Sequence, residues 1–202
     1  GGQTVIAPPR AVLAGDRHGF SDTPIDPDGV TRRALLLIND QGVARPSFGL
    51  RVAQTALGQT RLQAAPDDPQ VLMFGPTRLP ALPDNFGSYR SLSNEGYQIM
   101  IRHRRDLPIV PIVAAQSVLN GTAGTQFAGK VVLIGLTSDA IKDYFVTPLN
   151  RNTGSNFAFG AQVHAALIQQ LLDHDAGILA PVGAVPRPMQ LALILAAATL
   201  GA

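Results

Sequence analysis

The chain has 202 residues, of which 46% are hydrophobic and 15% charged, with a formal net charge of +2. That length and composition suit one domain with a substantial core, and the absence of cysteine excludes disulfides, thiolate catalysis and Cys-based metal sites. Arginine supplies nearly all the positive charge, Lys130 and Lys142 being the two lysines, and no basic block interleaves with aromatics, so no nucleic-acid partner is expected.

Residues 4–7 (Thr-Val-Ile-Ala) predict a short strand, ended by Pro8-Pro9 because proline cannot donate to a ladder. A polar loop over 16–29 closes on Asp26-Pro27-Asp28-Gly29, strong turn chemistry. Residues 33–39 read as a strand through Ala34-Leu35-Leu36-Leu37-Ile38, with Asp40-Gln41-Gly42 as the next turn. Ser47 is placed to cap a helix over 48–57 with Gly58 as its C′ residue, and Phe48, Val52, Ala56 and Leu57 share one face of it. Residues 71–74 predict a strand, 75–87 a proline-punctuated loop, 97–103 a strand, and 114–119 a short helix before Asn120-Gly121. Arg102, Arg104 and Arg105 around His103 read as solvated charges at a strand end.

Val131-Val132-Leu133-Ile134, ended by Gly135, has the β-branched, continuously apolar character of a strand buried on both faces. A polar loop follows, and then a helix near Gly160 with Val163, Ala166, Leu167, Gln170 and Leu171 on one stripe. Strand, loop and helix make one βα unit. The expected fold class is therefore α/β: a mixed, mainly parallel sheet flanked by helices, with an apolar C-terminal segment. After Pro186-Arg187-Pro188 the chain reads MQLALILAAATLGA without a charge. This run is shorter than the ~20 residues a spanning helix needs. It reads either as a buried internal helix or as the first part of a transmembrane helix. The second is favoured, because only Gln190 and Thr199 interrupt the apolar surface. The expected division is a domain over 1–180 and the start of a transmembrane helix over 188–202.

Two clusters are candidate ligand-binding residues. Asp139, Asp143 and Thr147 follow the carboxyl end of the expected strand, where ligands bind in open α/β sheets, and a helix N-terminus near Gly160 would offer free N–H groups. Asp143 could equally fix its own loop through backbone hydrogen bonds. Asp26, Asp28 and Arg32 form the second cluster. An EF-type calcium loop is excluded because its regular acidic series is missing, which leaves a turn with Arg32 or Arg33 pairing a carboxylate. His164 joins the candidates from within the final helix, although a packed ring is the simpler reading. No HExxH or paired-His spacing occurs, no glycine-rich phosphate loop follows a strand, and Ser47, Ser138 and Ser155 lack a GxSxG elbow. No catalytic residue, metal or cofactor is expected.

The order GKVVLIG, Asp143, Thr147-Pro148, Gly160, Val163-His164-Ala165 and Leu171-Leu172 resembles the CHASE sensor domain of the second type, the cyclase/histidine-kinase-associated sensory extracellular domain. Gly19-Phe20, Asp26, Asp28-Gly29-Val30 and Arg32-Arg33 agree with it, as do Pro46-Ser47-Phe48 and Ser117-Val118-Leu119-Asn120-Gly121. The resemblance covers residues 15–172. It implies an extracytoplasmic input domain of a bacterial membrane receptor, whose outputs in the family include adenylate or guanylate cyclases, histidine and serine/threonine kinases and diguanylate cyclases. Members usually carry a further N-terminal half and an upstream transmembrane helix, so this chain is expected to begin partway into the domain. The partners so implied are a small-molecule or protein signal, the membrane through the C-terminal segment, and a second copy in a homodimer. Two other readings stand beside sensing: a dimerisation module that senses nothing, and a soluble α/β hydrolase.

Overall fold

The computed structural model describes residues 17–58, 62–91, 93, 95–103, 111–150 and 157–200. The strand expected over 4–7, Arg104, Arg105 and most of the loop over 150–159 lie outside the described residues.

The core is built on β1 (Arg33–Asp40), the middle strand of a three-stranded sheet between β2 (Val43–Pro46) and β6 (Tyr97–Met100). Gln41 and Gly42 both take positive φ, 51° and 88°, which is the backbone a two-residue hairpin turn requires. The β1–β2 pairing is therefore antiparallel, with Asp40 opposite Val43, and Asn39 accepts from the Gly42 N–H at 2.7 Å. Ser47 then caps α1 (Phe48–Ala56), as expected, by accepting from the Leu50 N–H at 3.3 Å.

A second three-stranded sheet follows, β3 (Leu62–Ala65), β4 (Asp68–Phe74) and β5 (Thr77–Leu79), again antiparallel throughout. Strand β5 lies inside the segment read from sequence as loop. Gly75, with φ 55°, and Pro76 form its two-residue turn, and a glycine in the first central position is the signature of a primed hairpin. Tyr97 joins the two sheets: its hydroxyl accepts from the Leu72 N–H at 2.9 Å and donates to the Leu79 carbonyl. A short pair, β7 (Tyr144–Phe145) and β8 (Ala158–Phe159), leads into α3 (Gly160–Asp175). The remaining helices are α2 (Ala115–Leu119) and α4 (Arg187–Leu200).

Helix α3 buries Val163, Leu167, Gln170 and Leu171, four members of its predicted stripe, against Ala34, Leu36, Leu50, Ala53, Phe74, Leu79, Ile99 and Ile101. Gly49 makes this packing possible. A Cβ there would lie 2.7 Å from Leu167 Cδ2, so any other residue would force the Leu167 side chain to shift in the α1–α3 contact.

Two expectations are corrected. The sheets are antiparallel rather than mainly parallel; the parallel contacts among the described residues are the single bridges Phe20–Ser47 and Val30–Val146. The physical reason for β1–β2, β3–β4 and β4–β5 is connection length: two-residue turns join these strands, whereas a parallel pair needs a crossover of a dozen residues or more. Second, residues 131–134 form no strand. Ile134 is 99% exposed and Val132 51%. A strand needs a free edge to pair with, and both edges of the β1 sheet are occupied. The outer edge of β6 receives the Leu82 N–H at Gln98 O and the Gln170 side chain at Met100 O, while Pro46 of β2 accepts from Phe20. The apolar C-terminal segment forms a 14-residue helix, α4. At 1.5 Å per residue it extends about 21 Å, short of a ~30 Å hydrocarbon core. No helix among the described residues is long and apolar enough to cross a membrane.

Candidate functional site

The predicted cluster of Asp26, Asp28 and Arg32 is brought together, and it is larger than the sequence shows. Asp26 is 4% exposed at the base of the Asp26–Gly29 turn, which is closed by the Gly29 N–H on Asp26 O at 2.8 Å. Its Oδ1 accepts from Arg33 Nε at 2.7 Å, and its Oδ2 from an Arg32 guanidinium nitrogen at 2.8 Å and from the Tyr89 hydroxyl at 2.6 Å. Asp28 takes the same guanidinium in a two-pronged contact at 2.9 and 2.8 Å. Arg33 reaches Gln98 Oε1 at 2.5 Å, and the Gln98 amide donates to the carbonyls of Ser93 and Glu95. The Arg33 guanidinium also lies 5.9 Å from the centroid of the Tyr89 ring.

Burial by itself would raise the Asp26 pKa, but hydrogen bonds from Tyr89, Arg32 and Arg33 outweigh it and hold the carboxyl below its usual value. Tyr89 is pushed up to about 12 by burial and by the carboxylate it donates to. Two carboxylates facing two guanidinium groups form a satisfied structural network, in which the oxygens that could have suggested calcium are already committed. Tyr89 and Gln98 were missed from the sequence, whereas the pairing of Arg33 with a carboxylate was anticipated. Tyr89 lies 63 residues from Asp26, and no periodicity links them.

Of the second cluster, Asp143 lies at the N-terminus of α3 and His164 one turn into that helix, while Asp139 and Thr147 sit in turns of their own on either side of Asp143. Asp143 O accepts the Gly160 N–H at 3.0 Å, and the Asp143 carboxylate lies directly against Gly160, in the space a Cβ would fill. A carboxylate at a helix N-terminus is favoured by the helix dipole and by the N–H groups left free there. Thr147 is 3% exposed and donates to Asn150 Oδ1 within a turn closed by Asn150 N on Thr147 O. Asp139 opens a short 3-10 turn, Asp139–Ile141, capped by Ser138. His164, one turn into α3, packs edge-on against Phe48 at 5.4 Å between ring centroids. Burial lowers its pKa, with the Asp143 carboxylate opposing.

The two clusters meet through backbone. Val30 bridges Val146, and Thr31 N donates to Val146 O at 2.8 Å, so the Asp26–Arg33 loop lies beside the Asp143–Thr147 loop. Next to them a pocket lined in part by Asp22, Thr23, Ser47 and His164 holds about 10 Å³, the room one water needs. At that size the pocket has no space for an organic ligand. Asp143 is exposed beside the α3 terminus, and the charge network holds the neighbouring loop.

A family model of the CHASE2 domain matches residues 2–202. No curated protein and no solved structure matches the chain. The ordered motifs, the paired loops they build and a family match over nearly the whole length lead to one conclusion: this chain belongs to the CHASE2 family, extracellular sensory domains of signalling receptors.

Proposed function

We propose that this chain is the extracytoplasmic input domain of a bacterial transmembrane receptor, such as an adenylate or guanylate cyclase or a sensor kinase. Residues 1–180 form the sensory part, and the segment from residue 188 begins a transmembrane helix. The match to a sensory family over residues 2–202 carries this reading. The exposed apolar side chains of α4, Met189, Leu191, Leu193, Ile194 and Leu195, support the membrane assignment, because a helix apolar on all sides needs an apolar surrounding.

In this reading Asp139, Asp143, Thr147 and His164 meet the signal, a small molecule or a protein, at the α3 N-terminus. Asp26, Asp28 and Arg32 hold the neighbouring loop in register. A signal shifts the receptor only through different affinities for two states, and α3 runs from the Asp143 loop toward the segment that leads to α4. Deleting the domain from the full-length receptor is expected to abolish the response of the output to external conditions; a response that survives deletion overturns the reading.

A second reading makes the domain a homodimerisation module without a sensory role. The exposed apolar residues Val118, Leu119, Val132, Ile134 and Leu136 favour it, as a surface that a second copy could cover. Sedimentation decides between the two, since a constitutive dimer with unaltered receptor output on loss of Asp143 and His164 belongs to assembly alone.

A further inference from the structure

One buried polar assembly is not used by the site above. His174, near the end of α3, is 0% exposed. Its Nδ1 lies 2.6 Å from Leu179 O and its Nε2 3.3 Å from Gln170 Nε2. A carbonyl only accepts, so Nδ1 carries the ring proton and Nε2 accepts from the Gln170 amide. The other amide hydrogen of Gln170 goes to Met100 O at 3.0 Å, and Gln170 Oε1 accepts from the Arg102 N–H at 2.7 Å. The neutral pair is complete: each donor and acceptor has one partner.

The chain leaving α3 is held by the same group of bonds. His174 O accepts from the Thr77 hydroxyl at 2.5 Å and from Gly177 N at 3.1 Å. Ile178 N and Leu179 N both donate to Asp173 O, and the Arg102 guanidinium reaches Ala180 O at 3.2 Å. Residues 176–180, through which the chain passes from α3 toward α4, are thus fastened to the end of α3, through backbone bonds and the imidazole, and to the Arg102 side chain just beyond β6.

A proton on Nε2 would set an N–H against the Gln170 NH₂. Turning the amide over only moves the conflict: Oε1 would face Met100 O, and NH₂ would face the Arg102 N–H. The charged groups around the ring are few. On α3 they are Asp173, whose carboxylate accepts from Gln169 at 2.8 Å, and Asp175, which lies against Gly75. Beyond β6 there is Arg102; β5 brings the Thr77 hydroxyl and Arg78, which is engaged by Asp67. The charged residue of β4, Asp68, begins that strand, away from its Phe74 end, and residues 176–180 carry no charge. Burial chiefly disfavours the charged ring, opposed by the Leu179 carbonyl and Asp173 and reinforced by Arg102.

We propose that Gln170 and His174 form an acid-released latch: proton uptake at His174 Nε2 below neutral pH frees residues 176–180, and with them the segment leading to α4, while the core stays folded. That such a release serves as a signal input rests on the sensory reading above; the latch itself does not.

Amide hydrogen exchange of the full chain at pH 7.5 and pH 5.0, corrected for the intrinsic pH dependence of exchange, tests it. The opening constants of Gly177, Ile178 and Leu179 are expected to rise at least ~tenfold at pH 5.0, one pKa unit's worth, and to stay far above those of Leu36 and Ala53 at both pH values, so that the segment opens while the core is closed. In Gln170→Glu a carboxylate can accept from the protonated ring, so the rise is expected to disappear. Equal opening at both pH values, opening constants at Gly177, Ile178 and Leu179 no greater than those of Leu36 and Ala53 at pH 5.0, or an undiminished rise in Gln170→Glu overturns the latch. Should Gln170→Glu not fold, the wild-type comparison still decides. A latch that opens in a receptor indifferent to loss of the domain would overturn the sensory reading alone.

Discussion

Asp26 and Asp28 are two residues apart and share one arginine, yet they do different work. Asp26 neutralises Arg33, whose side chain is 7% exposed, while the Asp28 side chain is 37% exposed. Removing Asp26 leaves a buried guanidinium without its counterion, so Asp26→Ala is expected to cost about 3 kcal/mol of folding free energy. Asp28→Ala breaks a solvent-screened pair and is expected to cost under about 1 kcal/mol. Urea unfolding of the two variants measures both, and equal losses would contradict the network as described. The sequence permitted the pairing of a carboxylate with Arg32 or Arg33 to be anticipated, because the residues lie within one turn of chain. It did not indicate which carboxylate is buried, since that depends on Tyr89 and Gln98 arriving from far along the chain.

At the level of elements, local signals succeeded where the chemistry is local. The Ser47 cap, the turn over 40–42 and the apolar stripe of α3 each depend on residues within a few positions of one another, and each is found. The run over 131–134 has equally strong propensity and forms no strand, because strand formation requires a partner edge that propensity cannot supply. The difference is measurable by mutation. Leu167→Ala empties a site packed against Gly49 and is expected to cost about 2–5 kcal/mol, whereas Ile134→Ser changes a solvent-facing residue and is expected to stay within about 0.5 kcal/mol. Chemical denaturation of both variants checks the contrast; a large loss in Ile134→Ser would restore the interior strand.

For the molecule as a whole, pH is the most informative variable. His103, His164 and His174 all have pKa values lowered, chiefly by burial, from an ordinary 6.5. Below about pH 6.5 the unfolded chain binds protons that the native state refuses, so stability is expected to fall as pH drops from 7 toward 5. Asp26 adds a second loss as pH falls below 3.8, since its native carboxyl stays ionised to lower pH. Tyr89 acts at the other end: its native pKa, raised from 10.0 to about 12, removes stability as pH rises through that interval. Denaturation midpoints from pH 4 to pH 11 are expected to trace a plateau near neutrality with losses on both sides. A midpoint unchanged between pH 7 and pH 5 would contradict the buried neutral state of the three histidines.

Sequence alone established the family resemblance, the Ser47 cap, the hairpin turn after β1 and the grouping of Asp26, Asp28 and Arg32, because each is a pattern of residue types in fixed local order. Tertiary structure decided which carboxylate is buried, that the two loops lie side by side through Val30 and Val146, that Gln170 and His174 form one hydrogen-bonded unit, and that the most strand-like run lies on the surface. Burial, pairing and proton affinity are properties of groups brought together from distant positions, and no local pattern of residues specifies which groups those will be.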